Sequence, residues 1–285
     1  MTDLGSTAER NRHAKTLAMY AERMDEVLVF TSQERERIRE ELVAAAKADS
    51  RIGGAAHLGS AALASADRWS DIDLALCLIP DADFNQVLSD WTARLYRNYA
   101  AVANHDVRRG DILYRVFLLD NTLQIDLSFW PPAKLHAVGP KFRLIFGAAG
   151  EPVPAPVPAS RELIGMAWLY ALHVRSSIAR SRPLQAQYML SGMRDNVLAL
   201  MCKQHLVACD QGRGLDDLPA QQRSRAAECL ACSLEPAELK RAFRITMDLL
   251  LEQARFAEPD LAGKIERPLD RMVSCLPSDA PFTAS

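Results

Sequence analysis

The chain lacks any apolar run of membrane-spanning length, any tract of basic residues and any cysteine spacing that implies a disulfide framework. Each absence excludes something. Spanning a bilayer needs about 20 consecutive apolar residues, so no membrane partner is expected. Thr2 to Lys15 is polar and lacks the pattern of a secretory signal, so a soluble, cytoplasmic protein is expected. The net charge is −2, from 34 lysines and arginines against 36 aspartates and glutamates. Tight, phosphate-driven binding to duplex nucleic acid needs clustered positive charge, so no duplex partner is expected. The six cysteines suit a reducing compartment. Cys229 and Cys232 form a CxxC, and Cys202, His205 and Cys209 lie on one side of a predicted helix. One helix cannot easily aim three ligands into a tetrahedron, so burial as small hydrophobes is the favoured reading over zinc. There is no internal repeat. Low complexity is confined to residues 150–159, where every second residue from Pro152 to Pro158 is proline.

What is present is more telling. Leu58-Gly59-Ser60 is followed, after ten residues, by Asp71-Ile72-Asp73. Residues two apart in a strand point to the same side, so Asp71 and Asp73 aim together while Ile72 turns inward. Two converging carboxylates with no basic neighbour are costly unless a cation lies between them. Magnesium, which prefers oxygen ligands, is the natural candidate. Residues 112–119 and 122–130 read as a hairpin closed at Asp120-Asn121. In its second arm Leu123, Ile125, Leu127 and Phe129 share one face, and Thr122, Gln124, Asp126 and Ser128 the other. Asp126 is the acid that can join the pair from a neighbouring strand; Asp111 and Asp120 are its rivals.

An apolar residue, Gly-Ser, a spacer of about ten, Asp-apolar-Asp and a later strand acid resemble the signature of the nucleotidyltransferase superfamily. That superfamily includes DNA polymerase beta and the aminoglycoside and lincosamide antibiotic nucleotidyltransferases. Here the matching residues are Leu58, Gly59, Ser60, Asp71, Asp73 and Asp126, within roughly residues 50–130. The resemblance implies a magnesium-dependent enzyme, with one or two ions held by Asp71, Asp73 and Asp126. It implies ATP or another nucleoside triphosphate as co-substrate, contacted by Gly59, Ser60, Ser70 and Arg194. Asp126 would serve as a metal ligand or as the general base. Many members carry a basic residue shortly after Gly-Ser, and here Leu63 stands in its place.

The expected fold class is α+β: a small mixed-sheet nucleotidyltransferase domain, residues 1–149 with N-terminal helices, then an all-α helical bundle, residues 160–285. The proline spacer at 150–159 is the boundary. Helices are predicted over 8–29 and, opened by a Thr31/Glu34 capping box, through Lys47. A strand over 53–58 leads through Gly59-Ser60 into a short helix from Ala61 to about Ala66, whose free amides favour phosphate. Asp73 to Leu78 is the second strand, and a helix follows from Phe84 to about Tyr99 with Phe84, Val87, Leu88, Trp91 and Leu95 on one side. An edge strand is expected over 101–107. In the second half helices are predicted over 161–180, 184–207, about 220–233, 236–256 and 260–275, forming an up-down bundle. By resemblance the bundle covers the nucleotide and helps to hold the acceptor.

Arg194, near Tyr188, is a candidate triphosphate clamp or, equally, half of an ion pair. Arg175 and Arg182 divide the same way. Glu162 fits a first-turn acid favoured by the helix dipole better than an acceptor base. Residues 151–285 hold 16 basic and 16 acidic side chains. That balance argues against a polycationic aminoglycoside acceptor and leaves lincosamides or other small hydroxylated molecules. The expected activity is transfer of a nucleoside monophosphate to such a molecule, an antibiotic among the candidates. The alternatives are transfer to a protein or RNA end, as in toxin–antitoxin relatives, and a non-catalytic nucleotide-binding relative.

Overall fold

In a computed structural model, residues 29–63, 66–139, 141–154, 157–274 and 276 are described. The helix expected over 8–29 lies outside them, apart from Val29. Two compact units divide between Ala155 and Pro156. The fold class is α+β.

The first unit opens with α1, Ser32–Ala48, capped by Thr31, whose Oγ1 accepts from the Glu34 amide at 3.1 Å. Capping satisfies an amide the helix itself leaves without a partner. Ile38, Leu42 and Ala46, four apart, form the buried stripe. Then follow β1 (Ile52–Leu58), α2 (Gly59–Ala62), β2 (Ile72–Leu78), α3 (Phe84–Asn98), β3 (Ala101–Arg109), β4 (Ile112–Leu119), β5 (Gln124–Trp130) and β6 (Phe142–Phe146). Asp83 caps α3 by accepting from the Asn85 and Gln86 amides at 2.9 and 3.1 Å.

The six strands form one sheet in the order β3-β4-β5-β2-β1-β6. All neighbours are antiparallel except β2 and β5, which run parallel. The chain between β2 and β5, α3 and the β3–β4 pair, makes that parallel crossover possible. Alternation gives the sheet two faces. Ile72, Leu74, Leu76, Ile125, Leu127 and Phe129 pack with Leu42, Val87, Trp91 and Leu95 from the helices. On the other face Ala75, Cys77 and Trp130 pack with Ala56 and Leu135. The acids Asp73 and Asp126 belong, by alternation, to this second, more open face.

Two details depart from the sequence reading. The helix at Gly59-Ser60 spans only Gly59–Ala62, and the Leu63 N–H closes it by donating a hydrogen bond to the Ser60 carbonyl at 3.2 Å. Residues 64 and 65 lie outside the description. The strand β6 was not anticipated. It has five residues, two of them exposed, and becomes a strand by pairing with the open edge of β1.

The second unit contains α4 (Ser160–Ala179), α5 (Pro183–Gln204), α6 (Ala220–Glu228), α7 (Pro236–Ala257) and α8 (Pro259–Ser274). Pro183 and Pro236 sit in the first helical turn, where a missing N–H costs nothing. Only residues 180–182 separate α4 from α5, which pack along one another, and α7 packs on both. Ile164, Ala171, Val174, Leu190, Met193, Val197, Phe243 and Leu250 are fully or almost fully buried in their shared core. Cys202 and Cys229 lie within it as free thiols, while Cys232 is exposed.

Candidate active site

The parallel pairing of β2 with β5 sets Asp73 opposite Asp126 in register. Asp71 lies two residues before Asp73, on the same side, and Ile72 between them is fully buried. One ligand oxygen from each of Asp71, Asp73 and Asp126 falls within 4.8 Å of the others. Among the described residues this is the one group of three or more His, Cys, Asp or Glu side chains so arranged. The rival acids stand apart from it: Asp111 is ion-paired with Lys134 at 2.6 Å, and Asp120 is exposed at the β4–β5 turn.

Gly59 makes the approach possible. Its φ of +60° is left-handed, and a β-carbon there would overlap the Asp73 carboxylate oxygen Oδ2. The Gly-Ser turn and the second acid of the pair are therefore in direct contact. That explains why the turn carries glycine.

Neither Asp71 nor Asp126 forms an ion pair among the described residues. Burial pushes the Asp126 carboxyl up to about 6, the Asp71 charge pushes the same way, and a hydrogen bond from Gln124 opposes both. Gln124 donates from Nε2 to Asp126 Oδ1 at 3.0 Å and reaches Asp71 Oδ2 at 3.5 Å. Three carboxylates that offer oxygens to one point, with no cationic side chain among the described residues against Asp71 or Asp126, suit a hard divalent cation. Magnesium fits this donor set.

The other expected site residues are placed as follows. Ser60 lies in α2, which at four residues is too short to carry a macrodipole; any attraction for phosphate there comes from individual amides. The Ser70 hydroxyl belongs to the turn that leads to Asp71: it donates to Asp67 Oδ1 at 3.0 Å and accepts from the Asp67 amide at 2.9 Å. Arg194 lies in the second unit on α5, where its guanidinium bonds Asp195 at 3.1 Å, the ion-pair alternative. Glu162 sits in the first turn of α4.

Arg35, Arg143 and Gln124, to which the sequence reading assigned no role, contribute here, and His57 lies beside α1. Arg35 of α1 is buried and donates to the carbonyls of Asp67 and Ser70, the latter at 3.2 Å, tying the 67–70 turn to the helix layer. Arg143 of β6 donates to the Ala61 carbonyl at 3.3 Å, so a basic residue does touch the Gly-Ser helix, from 82 residues further on. His57, two residues before Gly59, is buried, and burial followed by the charges of Arg39 and Arg143 lowers its pKa to about 4. It is neutral at pH 7. Gln124 had only its place on the Asp126 face; the spacing of two from that acid was the available signal.

No protein-family model and no curated protein matches the chain. Among solved structures it is similar to an aminoglycoside 6-adenyltransferase from Bacillus subtilis, at 12% identity over 87% of this chain and 100% of that one, with a TM-score of 0.38. It is also similar to the structure of a GLD-2/RNP-8 complex, at 13% identity over 88% of this chain and 93% of that one, with a TM-score of 0.29. At those scores neither likeness bears on function, and the functional reading rests on the acidic cluster.

Proposed function

We propose that this chain is a magnesium-dependent nucleotidyltransferase that moves a nucleoside monophosphate, AMP from ATP, to a hydroxyl of a small molecule and releases pyrophosphate. The observation that supports it is the convergence of Asp71, Asp73 and Asp126 on the open face of the sheet, with the Gly59 turn against Asp73. Bound by these carboxylates, magnesium would supply positive charge for the triphosphate oxygens and lower the acceptor's pKa. The acceptor oxygen attacks the α-phosphorus in line. The new O–P bond forms as the bond to the β-phosphate oxygen breaks, and the electron pair leaves with pyrophosphate. The acceptor's proton passes to a carboxylate of the site, for which Asp126 is the candidate. Little covalent work falls to the protein, so its contribution is position and field. Asp73 on β2, Asp71 just before it and Asp126 on the adjacent β5 set the cluster's geometry.

The test is incubation of the whole chain with magnesium, ATP labelled at the α-phosphate and a panel of hydroxylated compounds that includes lincosamides and aminoglycosides. Pyrophosphate release that depends on one class of small acceptor supports the proposal. Label on protein or RNA redirects it to a macromolecular acceptor. Nucleotide binding without transfer to anything overturns it.

A further inference from the structure

The geometry points to Gln124 as a positioning residue of the acidic cluster: its carboxamide fixes one oxygen of Asp126 and one of Asp71, leaving the other oxygen of each for a shared divalent cation. This rests on the metal-site reading above and deepens it. Gln124 is the first residue of β5 and lies two before Asp126, so the two side chains share a face. Its Nε2 lies 3.0 Å from Asp126 Oδ1 and 3.5 Å from Asp71 Oδ2. An amide nitrogen has two hydrogens, one for each acid. The orientation is fixed by chemistry, because the amide oxygen cannot accept from ionised carboxylates.

Asp71 and Asp126 come from segments far apart in the chain, and their like charges push them away from one another. Gln124 spans that gap without neutralising it. A lysine here would place a cation among the acids and take the metal's part. A glutamate would add to the repulsion. A neutral double donor orients the carboxylates and leaves the cluster's charge for the ion. Partners that hydrogen-bond metal-ligating carboxylates typically govern metal affinity by about 10- to 100-fold.

Manganese binding to the full chain, followed by electron paramagnetic resonance of the free ion, tests this directly. Gln124 is exposed, so Q124L is expected to melt as the wild type does in EDTA. It should bind manganese about tenfold more weakly or worse. In turnover, its half-saturating magnesium concentration should rise by the same factor while kcat at saturating magnesium is retained, a split that general loosening of the fold would not give. Q124K should lose manganese binding and, in EDTA, melt at or above the wild-type temperature, because the lysine's charge offsets the repulsion between the acids. Wild-type affinity in Q124L, or retained binding in Q124K, overturns the role of Gln124. Absence of manganese binding in the wild type overturns the metal site itself, and the role of Gln124 with it.

Discussion

Changing Asp126 to Asn should stabilise the metal-free protein. The Asp126 carboxyl is raised from 3.8 to about 6, chiefly by burial and then by Asp71. The folded state thus binds the proton more tightly than the unfolded chain. Stability from this group is present below about pH 4 and is lost as the pH rises through about 6. A shift of that size corresponds to about 3 kcal/mol before solvent screening. Asp126 is only partly buried, so about 1–2 kcal/mol is the reasonable expectation. Asparagine keeps the size and an oxygen for Gln124 but carries no charge. In EDTA near pH 8, D126N should melt about 2–8 °C above the wild type. The gap should close as the pH is lowered toward 4, where the wild-type carboxyl is itself neutral. Circular-dichroism melts across that range make the measurement. A D126N protein no more stable than wild type at pH 8, or one whose advantage persists at pH 4, would refute the assignment of an electrostatically strained acid.

Three further outcomes are expected. G59A forces a β-carbon into Asp73 and costs about 1–2 kcal/mol for the left-handed backbone alone; manganese titration should show a large loss of affinity. Arg35→Met leaves two loop carbonyls without their donor, so stability should fall by about 1–3 kcal/mol and amide exchange should quicken at residues 67–70; unchanged exchange would show that the turn holds itself. D73N should abolish metal-dependent transfer of labelled AMP while leaving the melting temperature near that of the wild type, and full activity in D73N would remove Asp73 from the chemistry.

The parts of this fold that a sequence exposes are those governed by local periodicity. The alternation of Ile72, Leu74 and Leu76 with Asp71 and Asp73 is a two-residue pattern, and the structure places those side chains on the two faces accordingly. Helical spacing likewise marked α3 through Val87, Trp91 and Leu95. Asp126 was a candidate for the same reason and was expected to join the pair from a neighbouring strand, but the pairing that brings it there was not legible. That β5 lies beside β2, parallel and with Asp126 opposite Asp73, depends on a crossover through α3 and two strands, and no local pattern encodes that. Strand β6 had no visible signature either, since five half-exposed residues acquire strand structure only from the edge of β1. Arg143 follows from β6 and was hidden with it. Leu63 made the Gly-Ser segment look bare of positive charge, although a guanidinium reaches its backbone from another strand. Gln124 was legible as a position but not as a partner, because its second acceptor, Asp71, is 53 residues away.

The most direct test of the metal-centred account is a crystal of the full chain grown with manganese and a nonhydrolysable ATP analogue, with anomalous scattering used to place the metal. The account requires manganese in coordination contact with oxygens of Asp71, Asp73 and Asp126 and with the analogue's phosphates. An ordered analogue with no metal among these three carboxylates would contradict it.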